Sequence, residues 1–162
     1  MYVCNVHEKH YASETDYIRQ VREIAAKESA KVVLISAEVE AEVAELPEEE
    51  RLPFLRELGL QESGLNQVIR EGYDLLQLVT FFTVNPKELH AWTARKGSTA
   101  PVAAGVVHTD FEKGFIRAEV MKFVDLDRLG SEAALKEHGL LHIHGKDYLV
   151  DDGDVMYVRF NV

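Results

Sequence analysis

The chain has 162 residues, of which 46% are hydrophobic and 28% charged, and its 18 Lys and Arg against 28 Asp and Glu give a net charge of −10. This balance is typical of a globular protein with one domain or two small ones, and it argues against wholesale disorder and against coating nucleic acid by bulk charge. The single cysteine, Cys4, excludes an intramolecular disulfide. We find neither a signal peptide nor an apolar run long enough for a membrane span, so we expect a soluble, cytoplasmic protein.

Charge and residue pattern change near Leu78. Residues 1–77 contain 16 acidic and 8 basic residues, a net charge of −8, whereas residues 78–162 contain 12 acidic and 10 basic residues, a net charge of −2. The first half shows mostly helical spacing and the second half mostly strand patterns. We therefore predict two domains, 1–77 and 78–162.

The chain opens with the pattern strand, helix, strand. Residues 2–6 are a short apolar segment, and residues 14–29 have the spacing of an amphipathic helix, with Ser13 as the expected N-cap. The run 31–37 holds four consecutive aliphatic residues, which predicts a parallel strand buried on both faces. This order predicts a βαβ unit, which requires the two strands to lie side by side.

Two or three further helices are predicted in the first half, over 38–46, 47–58 and 63–76. The last has an apolar side formed by Leu65, Val68, Ile69 and Leu76. Two parallel strands give these helices little to pack against. We therefore expect residues 1–77 to be the end of a larger α/β domain, and the sequence leaves open whether Met1 is the natural start.

Short strands dominate the second half. Two strands, 79–84 and 88–95, are joined through the turn pair Asn85-Pro86. A short helix at 101–109, a strand at 115–123 and a helical or irregular stretch at 126–138 follow. Short strands at 141–143, 148–150 and 155–160 complete the pattern, with a turn at 151–154. Mixed strands with a helix or two indicate a small α+β domain.

The residues after the first two strands suggest a binding edge. Asn5-Val6-His7-Glu8 follows the first strand and Ser36-Ala37 ends the second, and ligands of open α/β sheets bind beyond the carboxyl ends of the strands. A carboxylate accepts hydrogen bonds, so Glu8 suits an exocyclic amine such as that of adenine, while the Ser36 and Ala37 amides can contact the same base. N-x-x-E alone is a weak signal, and without further context a surface turn after a strand is the better explanation.

The whole chain resembles the C-terminal part of the YchF (EngD) family of Obg-like ATPases, within the P-loop GTPase-like class. The resemblance is carried by ten segments, of which 108–118 is the most specific: 2–8 (YVCNVHE), 21–28 (VREIAAKE), 35–40 (ISAEVE), 58–65 (LGLQESGL), 80–83 (TFFT), 88–93 (ELHAWT), 108–118 (HTDFEKGFIRA), 145–148 (GKDY), 152–155 (DGDV) and 160–162 (FNV).

The resemblance implies a function for each half. Family members carry N-x-x-E where most GTPases carry N-K-x-D, which assigns base recognition to Asn5 and Glu8, with Val6 beside them and Ser36-Ala37 as the second base-contacting segment. The fold implied is the end of a P-loop NTPase domain followed by a ubiquitin-like β-grasp (TGS) domain that binds ribosomes or structured RNA. The cofactor implied for the complete protein is ATP, or GTP, with magnesium.

Part of the family machinery is missing from this sequence. A P-loop needs G-x-x-x-x-G-K-[ST], whereas the only Gly-Lys pair, Gly145-Lys146, is followed by Asp147. We therefore expect no catalytic residue here, no turnover by this chain alone and no tight binding of nucleotide to it.

Each of the other candidate residues has a functional interpretation and a purely structural one. Basic residues near Trp92 and Phe115 suggest an RNA-contacting surface or, equally, an ordinary solvated sheet face; they are Arg95, Lys96, Lys113, Arg117 and Lys122. A metal site at His142, His144 and Asp147, a reactive thiol at Cys4 and an acid–base cluster at His108, Asp110 and Glu112 are each less favoured than structural roles, and we predict no metal site.

Two functions from different classes fit these observations. The first is the C-terminal part of a ribosome-associated nucleoside triphosphatase. The alternative is a stand-alone, non-catalytic TGS-type module that binds RNA or ribosomes.

Overall fold

The computed structural model of the chain describes residues 1–11, 13–85 and 88–161. The chain forms two compact units, Met1–Leu75 and the part from Leu76 onward. Among the described residues, no helix is both long enough and apolar enough to cross a membrane. The predicted turn at Asn85-Pro86 and the terminal Val162 lie wholly or partly outside the described residues.

Two strands and four α-helices are formed by the described residues of the first unit. They are β1 Tyr2–Asn5, α1 Asp16–Lys27, β2 Val32–Ile35, α2 Ala37–Glu45, α3 Glu48–Glu57 and α4 Gly64–Leu75, with a 3-10 turn at Glu8–His10 after β1. The strands β1 and β2 pair in parallel, with Tyr2 opposite Val32 and Asn5 opposite Ile35. The predicted βαβ unit is therefore confirmed.

The sheet of the first unit is less buried than its sequence suggests. Val33 is buried, but the other residues of β2 are only half-buried and Val3 of β1 is 47% exposed. The expectation of a strand buried on both faces is therefore wrong for this unit, because only two described strands form its sheet. A core of the unit lies instead between α2 and α3, around Val39, Val43 and Leu55.

Two local expectations in the first unit also need correction. The helix α1 is capped by Thr15, whose hydroxyl accepts the Ile18 N–H at 3.3 Å, and not by Ser13. The α4 side chains Leu65 and Ile69, expected on a buried side, are at least half exposed, and so is Leu76, which lies just beyond the end of the helix. Gly64 at the start of α4 is buried, and Glu71 of the same helix pairs with the partly exposed ammonium of Lys31.

In the second unit, the part of the chain that the structure describes forms five strands and four short helices. They are β3 Leu78–Asn85, β4 Glu88–Arg95, α5 Ala100–Val107, α6 Thr109–Lys113, β5 Phe115–Lys122, α7 Phe123–Leu129, α8 Glu132–Glu137, β6 His142–His144 and β7 Asp154–Phe160. The stretch predicted as helical at 126–138 is two helices, because Gly130 adopts a left-handed φ of 72° and Ser131 caps the next helix. The strand predicted at 148–150 is a single bridge between Leu149 and Thr99.

One mixed sheet organises the second unit. Its strand order is β4-β3-β7-β5-β6, in which β3 and β7 are parallel and the other neighbours are antiparallel. Small side chains on α5 allow that helix to pack closely on one face, and the core there includes Ala100, Ala103, Ala104, Phe81, Ala118 and Met156. A second cluster around Met121, Leu135 and Val155 fills the other face. Both faces of the central strands are therefore buried.

Candidate nucleotide-base edge and basic surfaces

Parallel pairing brings the ends of β1 and β2 together. Asn5 lies opposite Ile35, and the N–H of Val6 donates to the carbonyl of Ile35 at 2.8 Å. The side-chain Oδ1 of Asn5 then accepts the backbone N–H of Ala37 at 3.0 Å. One side chain thus ties the loop after β1 to the start of α2 and fixes the shape of this edge.

Ser36 is a structural residue of the edge. Its side chain is 1% exposed, and its hydroxyl caps α2 by accepting the Val39 N–H at 3.4 Å. Its own backbone N–H donates to the hydroxyl of Tyr11 at 2.7 Å. The backbone N–H groups of Ser36 and Ala37, which were expected to face a base, thus both donate to acceptors within the protein.

Tyr11 belongs to this edge although no motif in the sequence marks it. Burial raises the pKa of its hydroxyl, an effect that the hydrogen bond from Ser36 partly offsets. The neutral phenol therefore persists through the physiological range and keeps accepting the Ser36 amide. A tyrosine three residues after Glu8 has no sequence signal of its own; only the fold shows its partner.

Glu8 begins the 3-10 turn Glu8–His10 and its side chain is exposed. His7 caps the start of the turn, because its Nδ1 accepts the Lys9 N–H at 3.4 Å. A cavity of about 380 Å³ lies beside Asn5, with Cys4, His7 and Ile18 among its lining residues. The edge therefore carries the exposed carboxylate of Glu8 and the ordered amide side chain of Asn5, and Asn5 lines the cavity.

Two further contacts brace the same edge from α2. The carboxylate of Glu40 accepts the Gly64 N–H at 2.7 Å, which joins α2 to the start of α4. A Cβ placed on Gly64 would lie 3.0 Å from Cγ1 of Ile35, a contact so tight that any side chain there would require Ile35 to shift. The edge is thus supported by contacts from residues distant in the sequence.

The basic residues of the second unit do not form one surface. Because β4 and β5 both run antiparallel to the β3–β7 pair, Arg95, Lys96 and Lys122 lie at one end of the sheet, and Lys113 and Arg117 at the other. The basic residues thus form two groups at opposite ends of the sheet, and their contact with RNA stays a prediction.

Several of the neighbouring side chains have structural roles. Lys122 donates to Asp154 at 2.7 Å, and Phe115 is 3% exposed. Trp92 is half-buried, and its indole N–H donates to the Thr83 hydroxyl at 2.8 Å. Stacking on Phe115 is therefore excluded without opening the core.

The remaining sequence candidates are placed as follows. His144 stacks on Tyr148 with ring centroids 4.0 Å apart, and His108 caps α6 by accepting the Asp110 N–H at 3.2 Å. Cys4 is half-buried in β1. Across 1–11, 13–85 and 88–161, no three His, Cys, Asp or Glu side chains are grouped so that they could hold a metal ion.

Comparison with known proteins defines the class first. The structure of the Schizosaccharomyces pombe YchF GTPase matches 98% of this chain and 43% of its own, with a TM-score of 0.81 and 31% identity. A GTP binding protein from Pyrococcus horikoshii shares the fold at a TM-score of 0.62 and 20% identity. The fold is thus that of the C-terminal part of YchF-type GTPases.

Sequence comparison gives the family. The family model YchF-GTPase_C, described as "Protein of unknown function (DUF933)", matches residues 78–161. The Ribosome-binding ATPase YchF of Haemophilus influenzae is 54% identical over 162 residues, and that of Bacillus subtilis 49% over 164. Obg-like ATPase 1 of Gallus gallus is 42% identical over 164 residues. The chain belongs to the YchF family.

The match covers only part of those relatives. All of this chain aligns with the Haemophilus and Bacillus proteins, but it spans 44% and 45% of their lengths, respectively. The match to the Gallus protein covers 99% of this chain and 41% of the length of that protein.

Proposed function

We propose that the chain is the C-terminal part of a cytoplasmic, ribosome-associated nucleoside triphosphatase, in which the first unit recognises the base of the nucleotide. The carrying observation is the hydrogen bond from Ala37 to Asn5, which orders the edge beyond the carboxyl ends of β1 and β2. The names of the relatives, a ribosome-binding ATPase and an Obg-like ATPase, support the same proposal.

The contacts at the edge refine the role of each residue. Glu8 is the base-contacting group, because its exposed carboxylate can accept from the exocyclic amine of adenine. Asn5 positions the loop, and Val6 keeps it in register through its bond to Ile35. Ser36 and Ala37 shape the edge through backbone bonds to Tyr11 and Asn5.

The residues present fit the base of ATP or GTP and not its phosphates. This sequence contains no glycine-rich phosphate loop, and backbone amides of such a loop, with magnesium, provide the electrostatic stabilisation for phosphoryl transfer. Catalysis in the complete protein is therefore assigned to residues outside this chain.

The second unit is, in this proposal, a TGS domain that contacts the ribosome or structured RNA. Numbered within the unit, its strand order is 2-1-5-3-4 with the first and last strands parallel, which is the order of ubiquitin-like β-grasp domains. The helix α5 follows the β3–β4 hairpin and packs on one face of the sheet, which agrees with that fold.

Base recognition is tested in a full-length protein that joins this segment to a family phosphate-binding domain. Glu8→Ala is expected to reduce the preference for ATP over GTP by about 1–3 kcal/mol, the scale for removing one partner of a buried polar contact. Glu57→Ala, which removes an exposed carboxylate from the end of α3, is the matched control. An ATP-to-GTP affinity ratio unchanged by Glu8→Ala would show that Glu8 does not read the base.

The RNA role is tested on the two basic groups separately. Ribosome or structured-RNA binding is measured at two salt concentrations for Arg95→Ala/Lys96→Ala and for Lys113→Ala/Arg117→Ala. Removing a cation that binds a phosphate lowers the affinity and flattens its salt dependence, so one pair is expected to change both quantities. If both double variants bind like the wild type, RNA binds to another surface.

The alternative, a non-catalytic binding module, is favoured by one observation: the family model covers only 78–161. Reading the genomic DNA upstream of Met1 separates the two proposals. An in-frame G-x-x-x-x-G-K-[ST] supports the triphosphatase, whereas a stop codon and a ribosome-binding site just upstream support the module.

A further inference from the structure

The outer edge of β4 has no strand paired with it among the described residues. β4 is the first strand of the five-stranded sheet and pairs only with β3. Leu89 is 63% exposed, and Ala91 and Arg95 are exposed as well. We propose that this edge is a docking surface for the β4 strand of a second copy of this chain, paired antiparallel across a twofold axis.

The direction of the backbone groups follows from one hydrogen bond. The Lys96 N–H donates to the Gln77 carbonyl at 2.7 Å and continues the register in which Arg95 lies opposite Leu78. Hydrogen-bonded and non-hydrogen-bonded positions alternate along an antiparallel ladder, so even-numbered residues of β4 turn their amides towards β3. Leu89, Ala91 and Arg95 therefore direct their N–H and C=O groups outward.

The sequence of β4 is complementary to itself in the antiparallel direction. The strand begins with an acid, Glu88, whose carboxylate lies 2.9 Å from Nε2 of His90, and it ends with the basic residue Arg95, which Lys96 follows directly. When Trp92 lies opposite Trp92 of the second copy, Glu88 lies opposite Lys96 of that copy, since 88 and 96 are equally far from 92. Opposite charges across a strand pair stabilise it, and symmetry makes this contact twice.

The same register satisfies the geometry of a twofold pairing. Opposed residues are both even or both odd, so each pair lies on one face of the sheet, as an axis perpendicular to the sheet requires. Ala91 lies opposite Thr93, and Leu89 opposite Arg95, at positions whose backbone groups point outward. A parallel pairing in register would instead place Glu88 beside its own copy and align like charges.

Proline residues and β-bulges, two common devices that protect an edge strand, are both absent from β4. Its eight residues, 88–95, contain no proline, and the register with β3 is continuous from Leu78–Arg95 to Asn85–Glu88. The opposite edge of the sheet is β6, which has only three residues and offers a short template. One strand pair buries little surface, so we expect weak association, micromolar or weaker.

Sedimentation equilibrium on the whole chain tests the proposal, over a concentration series reaching several hundred micromolar. A monomer–dimer equilibrium is expected. Ala91→Pro removes an outward N–H and leaves the bonds to β3 in place, so the dissociation constant is expected to rise about tenfold or more. Trp92 fluorescence and the unfolding midpoint show whether that variant is folded.

A charge exchange keeps the test decisive if Ala91→Pro does not fold. Glu88→Lys and Lys96→Glu are each expected to weaken the dimer, and the double variant is expected to restore it, because the opposed charges are exchanged together. Hydrogen exchange at the Leu89 and Ala91 amides is expected to slow as the protein concentration rises.

Three results would overturn the proposal. The first is a chain that stays monomeric throughout the concentration series. The second is a dimer that Ala91→Pro and both single charge variants leave unchanged, which would place self-association on another surface. The third is protection of the Leu89 and Ala91 amides only when a strand from a different protein is added, which would assign the edge to that partner. Pairing through β4 requires neither nucleotide nor RNA, so it can fail or hold independently of the proposed function.

Discussion

Lys122 is the counter-ion of a carboxylate that has no exposed surface. Its ammonium lies 2.7 Å from Asp154, which is 0% exposed and also accepts hydrogen bonds from the Tyr148 hydroxyl and the Asp151 N–H, each at 2.8 Å. Burial disfavours the charged ammonium, but the bonds to Asp154 and Asp151 outweigh that effect and raise the pKa of Lys122. The group ties the 151–154 turn to the end of β5.

We predict that Lys122→Met destabilises the second unit by about 2 kcal/mol. A hydrogen bond to a charged group contributes about 1.5–3 kcal/mol, and removing one partner of a fully buried ion pair costs about 3–5 kcal/mol. The Lys122 side chain is 41% exposed, so water replaces part of the interaction with Asp154 and the lower part of the range applies. Met keeps the length of the side chain and its contact with the sheet.

Urea unfolding followed by Trp92 fluorescence measures this change. Trp92 is the only tryptophan and lies in the second unit, so its signal reports that unit. With a slope of about 1–2 kcal/mol per molar urea, the midpoint is expected to fall by about 1–2 M. Lys146→Met, at an exposed position, is the control and is expected to change stability by less than about 0.5 kcal/mol. Equal midpoints for the two variants would refute the assignment of Lys122 as the counter-ion.

Three further predictions concern stability and binding. Burial raises the pKa of Tyr148 and of Tyr157 from 10.0 to about 12, and the hydrogen bonds to Asp154 and Glu132, respectively, add to the effect. Between pH 10 and about 12 the folded phenols therefore keep protons that the unfolded chain releases, so the free energy of unfolding should fall over this range. The fall should be less steep in Tyr148→Phe. Gly114→Ala places a Cβ in steric conflict with the carbonyl oxygen of Asn161 and should lower the melting temperature, whereas Gly145→Ala, with open space around it, should not. Calorimetry on this chain alone should detect no micromolar affinity for ATP and, with magnesium, no ATP turnover. Detecting binding or turnover would place a phosphate site within these residues.

Much of the local structure could be predicted from the sequence, because it depends on periodicity and on capping residues. The predicted segments around β1, α1, β2, β3, β4 and β5 all form, with ends shifted by a few residues. Errors arise where two local signals compete, as at the start of α1, where Ser13 and Thr15 are both suitable caps and Thr15 is used. The glycine that divides 126–138 into two helices could not be distinguished from one within a helix.

The candidate base edge could likewise be predicted only in part from the sequence. Asn5 and Ser36 are expected to be neighbours, since parallel strands end at the same edge, and the structure brings their loops together. The sequence does not indicate that Tyr11 accepts the Ser36 amide, or that Asn5 accepts the Ala37 amide that the motif assigns to a base. Hydrogen-bond partners of backbone amides depend on packing between distant segments, which leaves no periodic signal.

The sequence by itself determined the class of each segment, the acidic character of the first half and the residue types available for base recognition. Tertiary structure alone decided which residues act together. The basic residues at 95–96 and 113–117 lie at opposite ends of the sheet because β4 and β5 both run antiparallel to the β3–β7 pair. Likewise, packing decided which side of α4 is buried. Strand order and packing faces arise from contacts between residues far apart in the chain, whereas sequence patterns record each segment's own preference for water or for the core.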